Sequence, residues 1–488
     1  MASSRFARPA WLNPKVLRTE VLAGLVVALA LIPEAISFSV IAGVDPSLGL
    51  FASFTMAVTI AVFGGRPAMI SAATGAIALV VAPVVREHGV SYLIATVILG
   101  GLVQIALGAL GVAKLMRFVP RSVMVGFVNA LAILIFLAQL PELYGVPWAV
   151  YPLFAAGVAV MVFFPRLTKV VPAPLVAIIA LTAITVAAGI AVPTVGDRGK
   201  LPSSLPVPGL PDVPFTLDTL KIIAPYAVAL ALVGLMESLM TAKLVDELTD
   251  TRSDKTRESI GQGIANVVTG LFGGMGGCAM IGQTMINVKN GARTRLSTFL
   301  AGAFLMVLCI VFGPLVSQIP MAALVAVMVL VAVGTFDWHS VAPRTLKRMP
   351  AGEIGVMAVT VALVVATDNL AIGVIAGTIT AMVIFARRVA HLVTLDAVRE
   401  EDRVVYTVNG ELFFASSNDL VGQFDYPNDP DQVVIDLSRA HIWDASTVAA
   451  LDAVTAKYAE RGKTVEIIGL NQHSAAMHGR LTGELTSH

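Results

Sequence analysis

Two glutamates in this sequence lie within long, otherwise apolar stretches, and each follows a copy of the same pentapeptide. VALAL occurs at residues 27–31 and 228–232, and the first copy leads to Glu34 and the second to Glu237. An acid at the centre of a membrane helix costs about 2.5–3.5 kcal/mol on insertion scales, so it is tolerated where it faces a cavity or a partner. Glu34, directly after Pro33, is therefore a candidate proton carrier. The alternative is an acid near a helix end that reaches water.

The second glutamate has a hydroxyl group one helical turn further along the chain. Glu237 and Thr241 are spaced i, i+4 and would share one helix face. A carboxylate beside a hydroxyl forms an oxygen-rich patch that suits a small hard cation such as Na⁺, so these two residues are a candidate sodium site. The alternative is a Thr241 hydroxyl bonded back to its own helix and a Glu237 paired elsewhere.

Two stretches of small and polar residues interrupt the apolar sequence. They read SAATGAIAL from Ser71 and GGCAMIGQTMINV from Gly276. Irregular backbone at membrane depth must line protein or a water-filled cavity. If a half-helix starts in each stretch, its first N–H groups are unpaired and its dipole is positive there, which makes an anion site from backbone alone. The alternative is close packing of helices through small residues.

These features come in pairs at a similar offset, which indicates two related halves that position them. The pentapeptides lie 201 residues apart, GGRPAMISAATG from Gly64 resembles GGMGGCAMIGQT from Gly273, and Pro120 and Pro320 each open a similar apolar run. Two related halves, each with an acid at membrane depth, are typical of transporters built from inverted repeats, with the site where the halves meet.

The composition is that of a membrane protein, with 57% apolar and 13% charged residues. Apolar stretches of about 17–25 residues mark membrane segments. We predict fourteen, arranged as seven-plus-seven inverted repeats and followed by a small α/β domain. They begin near Val21, Ser47, Ser71, Tyr92, Ser122, Ala149, Pro172, Ile222, Ile260, Gly282, Leu296, Met321, Gly352 and Asn369.

The distribution of basic residues predicts which side of the membrane each segment faces. Of the 33 Lys and Arg residues, 22 fall in segments predicted to face inward, 4 in outward-facing ones and 7 beyond Arg388. This bias predicts that both termini are cytoplasmic. The predicted domains are a cytoplasmic arm (1–20), a first membrane repeat (21–190), a proline-rich extracytoplasmic linker (191–220), a second repeat (221–388) and a cytoplasmic tail (401–488).

The tail alternates predicted strands with a predicted helix, which indicates a small α/β domain. VVYTVNGELFF, QVVIDLS and KTVEIIGL read as strands, and residues 446–461 read as a helix. Ser446 near the start of this helix would hold a phosphate well and is a candidate regulatory site. The alternative is a plain helix-capping or first-turn serine.

Several classes of function have no support in the sequence. His88, His339 and His391 are far apart and show no metal or catalytic spacing, so we expect neither an enzyme nor a bound cofactor. The net charge of +1 gives no reason to expect a nucleic-acid partner. Cys278 and Cys309 lie in or beside membrane segments, and we expect no disulfide between them.

The chain resembles a known family, the bacterial SulP anion transporters, in five segments of its sequence. These are IPEAISFSVIAGVDPSLGLFAS, FGGRPAMISAATG, GFVNALAIL, MESLMTAKLVDELTDTRSDKTRESIGQGIAN and INVKNGARTRLS. The tail resembles the STAS domain that follows in that family. The resemblance implies a core domain that moves against a gate domain, a homodimer in the bacterial inner membrane, and substrates such as sulfate, bicarbonate, chloride or dicarboxylates.

The resemblance also implies roles for individual residues. Thr74 matches the anion-facing start of the third helix, and the start of the tenth matches Ala279, Met280, Ile281 and Gly282, followed by Gln283. Glu237 and Thr241 match an Asp and a Thr of a sodium-coupled bicarbonate-transporting member, and Glu34 resembles the first-helix acid of a proton-coupled dicarboxylate member. Many animal members have Ser-Arg in place of Gly282-Gln283. The missing arginine favours a bound cation as the anion's counter-charge.

We therefore predict a symporter of a small anion, coupled to H⁺ or Na⁺, that contacts lipid and has a cytoplasmic regulator at its STAS domain. An uncoupled anion exchanger or channel is an alternative, but a pure anion path gains nothing from two acids. A nucleobase permease of the same fold is a second alternative, and the STAS-like tail argues against it. The third, a membrane-anchored regulator, does not account for the repeated intramembrane acids.

Overall fold

The computed structural model describes residues 13–111, 119–167, 172–367, 369–390, 393–400 and 402–484. The chain divides into two compact units, Met1–Thr378 and Ile379–His488. Most of the predicted N-terminal arm lies outside the described residues. The first helix begins at Pro14, earlier than the predicted Val21, because Asn13 caps it and Pro14 suits its first turn.

A helix is present at each of the fourteen predicted membrane segments. The first seven are α1 (Pro14–Ala42), α2 (Pro46–Phe63), α3 (Gly75–His88), α4 (Val90–Ala109), α5 (Arg121–Gln139), α6 (Val150–Leu167) and α7 (Ala173–Ala187). The second seven are α8 (Leu217–Thr249), α9 (Lys255–Leu271), α10 (Ile281–Lys289), α11 (Arg295–Val311), α12 (Met321–Thr335), α13 (Ala351–Thr367) and α14 (Leu370–Ala390). The predicted fold class is confirmed.

The two shortest of these helices, α3 and α10, each follow a short strand. The strand β1 (Ser71–Ala72) precedes α3, and β2 (Cys278–Ala279) precedes α10. The 9 residues of α10 cover about 14 Å at 1.5 Å per residue, roughly half of a 30 Å hydrocarbon core. Among the described helices, α1, α2, α4, α5, α6, α8 and α14 are long and apolar enough to span it.

The helices pack as two groups that draw on both halves of the sequence. In the core group, α1–α4 pack with α8–α11, for example α4 on α8 and α9, and α1 on α11. In the gate group, α5 packs on α12 and α13, and α6 on α7 and α12. The strands β1 and β2 pair antiparallel, with Ser71 opposite Ala279 and Ala72 opposite Cys278. Related segments thus meet head to head within the core group.

The segment between α7 and α8 has little regular structure. Within it, Val195–Arg198 forms a single 3₁₀ turn, and Thr194 bridges to Pro320. The prolines predicted this, because each removes a backbone donor and fixes φ.

The second unit contains a four-stranded sheet of order β3-β4-β5-β6. Its strands are β3 (Thr394–Arg399), β4 (Arg403–Leu412), β5 (Gln432–Ile442) and β6 (Thr464–Ile468), and its helices are α15 (Phe414–Val421), α16 (Ala445–Ala459) and α17 (Gln472–Leu481). β4, β5 and β6 pair in parallel, while β3 pairs antiparallel with β4. The predicted α/β tail is confirmed.

The core of the second unit contains a buried acid that is satisfied by hydrogen bonds. The hydroxyls of Tyr406 and Tyr458 donate to Asp429 Oδ2 at 2.8 and 2.6 Å, and Arg399 donates to its other oxygen at 3.2 Å. A buried carboxylate is stable only when paired in this way.

Candidate functional site

A cavity of about 360 Å³ lies at the boundary between the core and gate groups. Its core side is formed by residues of α1, α8 and the starts of α3 and α10, and its gate side by residues of α5, α7 and α12. Seven of the residues singled out in the sequence line it: Glu34, Thr74, Glu237, Met280, Ile281, Gly282 and Gln283. The structure thus brings together residues that the chain separates by some two hundred positions.

Glu34 lies on α1 next to the start of α10. It is buried, and the side chain of Gln283, in the first turn of α10, lies beside its carboxyl group. Pro33 has no N–H and leaves one carbonyl of the preceding turn without its helical donor. The alternative of an acid that reaches water at a helix end does not fit this position, since α1 continues to Ala42.

Glu237 lies on α8 and contacts the strand that precedes α10. Its Oε2 accepts a hydrogen bond from the thiol of Cys278 at 2.9 Å. The next residue, Ser238, accepts the backbone N–H of Ala279 at 3.0 Å. One turn of α8 therefore holds both the acid and the backbone that leads into α10.

Thr241 does not face the cavity. Its hydroxyl donates to the Glu237 carbonyl at 2.8 Å, and the side chain is fully buried. This is the alternative geometry considered for the i, i+4 pair, a threonine bonded back to its own helix. In this arrangement the Glu237 carboxylate lines the cavity without the Thr241 hydroxyl beside it.

At the start of α3, Thr74 is the helix-capping residue. Its Oγ1 accepts the N–H of Ile77 at 3.3 Å. The N–H groups of Gly75 and Ala76, which line the cavity, have no acceptor within the described part of the chain. Two unpaired donors and the positive end of the α3 dipole therefore face the cavity.

At the start of α10, the predicted backbone donors divide into two sets. The N–H of Ala279 is bonded to Ser238, and that of Met280 donates to the Ile70 carbonyl at 2.9 Å. The N–H groups of Ile281, Gly282 and Gln283 have no acceptor among the described residues. The donors available at this end are thus the last three of the five predicted residues.

The two irregular segments are held by buried polar side chains that the sequence analysis did not identify. Asn266 of α9 donates to the Gly277 carbonyl at 3.0 Å and accepts the Gly277 N–H at 2.9 Å. Gln262, one turn earlier, donates to Ser71 at 2.7 Å, and Thr284 accepts the Ile70 N–H at 3.0 Å. The available signal was a pair of amide side chains at i, i+4 in a predicted membrane segment.

The described residues contain no cluster of three or more His, Cys, Asp or Glu side chains that could hold a metal ion. Ser446, in the second unit, is exposed in the first turn of α16, and the helix-capping residue is Asp444, whose side chain accepts the Thr447 N–H at 3.1 Å. The helix start therefore already has a carboxylate as its cap.

Comparison with known proteins places this architecture in one family. Residues 17–155 and 146–360 match the model of the sulfate permease family, and residues 394–481 match that of the STAS domain. The chain belongs to the sulfate permease family. It is accordingly a multi-pass membrane transporter with a STAS domain and not an enzyme, as the sequence predicted.

Relatives and solved structures agree with this membership. A Bacillus subtilis (strain 168) protein with the provisional name sulfate transporter YbaR is 54% identical over 94% of this chain and 96% of its own. The bicarbonate transporter BicA of Picosynechococcus is 25% identical over 93% of this chain and 88% of its own.

Two solved structures resemble the fold of this chain. The transmembrane domain of a cyanobacterial BicA covers 74% of this chain and 98% of its own, at 26% identity and a TM-score of 0.66. The murine anion transporter Slc26a9 in the inward-facing state covers 98% of this chain and 92% of its own, at 16% identity and a TM-score of 0.83. The second likeness supports the fold alone.

Proposed function

We propose that this chain is a secondary active transporter that moves a small anion together with protons by alternating access. The observation that carries the proposal is the cavity at the core–gate boundary, where the unpaired starts of α3 and α10 meet two buried acids, Glu34 and Glu237. Helix starts favour an anion and a protonated acid tolerates one, so both can be held in the same small space.

The backbone N–H donors at the starts of α3 and α10 indicate the substrate class. The N–H groups of Gly75 and Ala76 border the same cavity as those of Ile281, Gly282 and Gln283, and no Lys or Arg among the described residues lines it. Backbone donors of this kind bind sulfate, bicarbonate or a dicarboxylate alike. The names of the relatives, a sulfate transporter and bicarbonate transporters, support the first two.

Proton coupling is favoured over sodium coupling by the surroundings of Glu237. Its carboxylate contacts a thiol, which is a poor ligand for a hard cation, and Thr241 does not line the cavity. Glu237 and Thr241 nevertheless stay the candidate Na⁺ ligands if sodium is the coupling ion. Glu34 has no hydroxyl neighbour of this kind among its described hydrogen bonds and suits a proton.

The proposal also includes the membrane location, the orientation, the oligomeric state and a regulatory partner of the protein. The bias of Lys and Arg supports cytoplasmic termini and a place in the bacterial inner membrane. The family supports a homodimer, and the STAS domain supports a cytoplasmic regulator, for which the exposed Ser446 is a candidate site of modification.

The function is tested by uptake of labelled anions into proteoliposomes with imposed gradients. The panel contains sulfate, bicarbonate, chloride, fumarate and uracil, and pH and sodium gradients are applied separately. We expect concentrative uptake of one anion class on an inward proton gradient. Uptake of uracil would indicate a nucleobase permease, and anion flux that ignores both gradients would indicate an uncoupled exchanger or channel.

The sodium alternative has its own test in the affinity for sulfate or fumarate at fixed pH, measured with and without sodium. The proton proposal predicts that sodium leaves the wild-type affinity unchanged. If sodium instead tightens wild-type binding by roughly 5–150-fold, the range typical of coupled sites, and fails to do so in Glu237→Gln and Thr241→Val, sodium is the coupling ion.

A further inference from the structure

One sulfur atom joins the acid on α8 to the start of α3. Cys278, in β2, is fully buried, and its Sγ lies 2.9 Å from Glu237 Oε2 and 3.2 Å from Thr74 Oγ1. Thr74 Oγ1 in turn accepts the N–H of Ile77. A continuous chain of hydrogen bonds therefore runs from Glu237 through Cys278 to the hydroxyl that caps α3.

Which group donates in each of these hydrogen bonds follows from counting the available protons. An ionised carboxylate only accepts, so the single thiol proton of Cys278 points to Glu237. The sulfur then has no proton left for Thr74, and the Thr74 hydroxyl must be the donor in the contact between them. While Glu237 is ionised, the Thr74 proton is thus turned to the sulfur and away from the cavity that Thr74 lines.

Protonation of Glu237 reverses the direction of these hydrogen bonds. The carboxyl group then carries a proton that it donates to the sulfur, and the thiol proton turns to Thr74 Oγ1. The Thr74 hydroxyl proton is released from the sulfur and turns into the cavity, beside the free N–H groups of Gly75 and Ala76. One proton enters at Glu237, and every other proton stays on its own atom and only changes direction.

We propose that Cys278 is a positioning residue that relays the protonation of Glu237 to the anion site, by freeing the Thr74 hydroxyl as an additional donor. The proposal rests on the proposed function and gives it a mechanism: proton and anion favour each other because the same proton that neutralises the acid adds a hydrogen bond to the anion. This coupling is reciprocal.

The charged groups near Glu237 are few. Of the described residues that line the cavity, Glu34 is the titratable one besides Glu237. Among the described helices that pack on α8, α4 carries no charged residue, and the remaining ionisable side chains lie in terminal turns. They are Arg86, Glu87 and His88 on α3, Lys255, Arg257 and Glu258 on α9, and Lys289 on α10.

The test is the affinity of the purified full chain in nanodiscs for sulfate and for fumarate, titrated from about pH 5.5 to about pH 8.5, where both probes stay dianionic. Each variant is made in the Glu34→Gln background, so that Glu237 is the one acid left in the cavity wall. We expect the parent to bind at least about fivefold more tightly at the acid end. Cys278→Ala should lose most of that pH dependence, and Cys278→Ser, which keeps one proton and an acceptor, should restore it.

Cys309→Ala is the matched control, because Cys309 is also a buried free thiol but lies on α11 and does not line the cavity. It should keep the parent's pH dependence. An unchanged pH dependence in Cys278→Ala, or a serine variant that behaves like the alanine variant, would overturn the relay. Binding of neither probe by the wild-type chain would overturn the relay for a dianion and would remove sulfate and dicarboxylates from the proposed substrates.

Discussion

At the scale of single residues, two acids and two helix starts share one small space. Glu34 and Glu237 are both buried, and each contacts the segment that leads into or begins α10, Glu34 through Gln283 and Glu237 through Cys278. The anion donors and the acids are therefore not separate sites but parts of the same wall. We therefore expect a change at the acids to alter anion affinity, and a change at the anion donors to alter proton affinity, by an amount set by the coupling free energy.

Replacement of Glu34 tests its role as a proton carrier. Glu34→Gln keeps the size and hydrogen-bonding capacity of the side chain but cannot take up a proton. We expect proton-driven accumulation of anion to fall by about tenfold or more, which corresponds to about 1.4 kcal/mol, while anion binding persists. Accumulation ratios in proteoliposomes and equilibrium binding are measured on the same preparation. Wild-type accumulation by this variant on an inward proton gradient would rule Glu34 out.

Replacement of Gly282 tests the position of the anion. A Cβ added at Gly282 meets no atom within 4 Å, so a larger side chain extends into the cavity without disturbing the fold. Gly282→Val should weaken anion binding by about tenfold or more, because it fills the space that the ligand occupies. Gly355→Val is the control, since Gly355 is also open but does not line the cavity. Equal affinities in the two variants would place the anion elsewhere.

At the scale of elements, the short helices depend on buried polar groups that hold their ends in place. Asn266 and Thr284 satisfy backbone groups of the irregular segments, and Gln262 donates to the Ser71 hydroxyl. Glu20 of α1 accepts backbone N–H groups at the start of α11. Glu20 accepts the N–H groups of Arg293, Thr294 and Ser297 at 2.8, 3.0 and 3.1 Å. These contacts fix α1, and with it Glu34, against the second repeat.

Glu20→Gln tests this anchor. The amide has one oxygen in place of two, and its NH₂ group would face at least one backbone N–H. We expect a loss of stability of about 1–3 kcal/mol, the cost of leaving a buried donor unsatisfied. Thermal unfolding of the purified chain in detergent measures it, with Glu247→Gln on the exposed face of α8 as control. A melting temperature equal to that of the control would show that the Glu20 contacts contribute nothing.

The helices could be predicted from hydropathy because each membrane segment is written as a local apolar run. The half-helices could be predicted because small and polar residues at membrane depth indicate irregular backbone that lines protein or a cavity. Glu20 could not, since an acid close to the chain's basic N-terminal segment reads as part of a solvated arm. Cys278 could not either, because its meaning comes from Glu237 and Thr74, which only the fold brings beside it.

At the scale of the whole molecule, the cavity lies between two helix groups that share few contacts. The core group carries the acids and the helix starts, while Phe127, Leu131 and Val331 are among the apolar residues of the gate side. An apolar gate surface permits one group to slide past the other without breaking polar contacts, which is what alternating access needs. Each group contains helices from both halves of the sequence, as expected for the repeat that the paired pentapeptides indicate.

In the tail, the sequence predicted three strands and one helix correctly but missed β3, α15 and α17. The strand β3 is mostly exposed, and its apolar face is short, with Leu395 packed against the core and Ala397 exposed, so its alternation is weak. Its position depends on pairing with β4. Long-range pairing of this kind cannot be seen in a local pattern.

If anion and proton move together, the anion alone must drive proton movement, and this movement can be measured. Wild-type protein is reconstituted into vesicles that contain a pH-sensitive dye, with the membrane potential clamped by potassium and valinomycin and no initial pH difference. An inward gradient of the transported anion, sulfate or fumarate, is then imposed. Coupled transport predicts that the vesicle interior acidifies as the anion enters. Anion entry without any change in internal pH would contradict it.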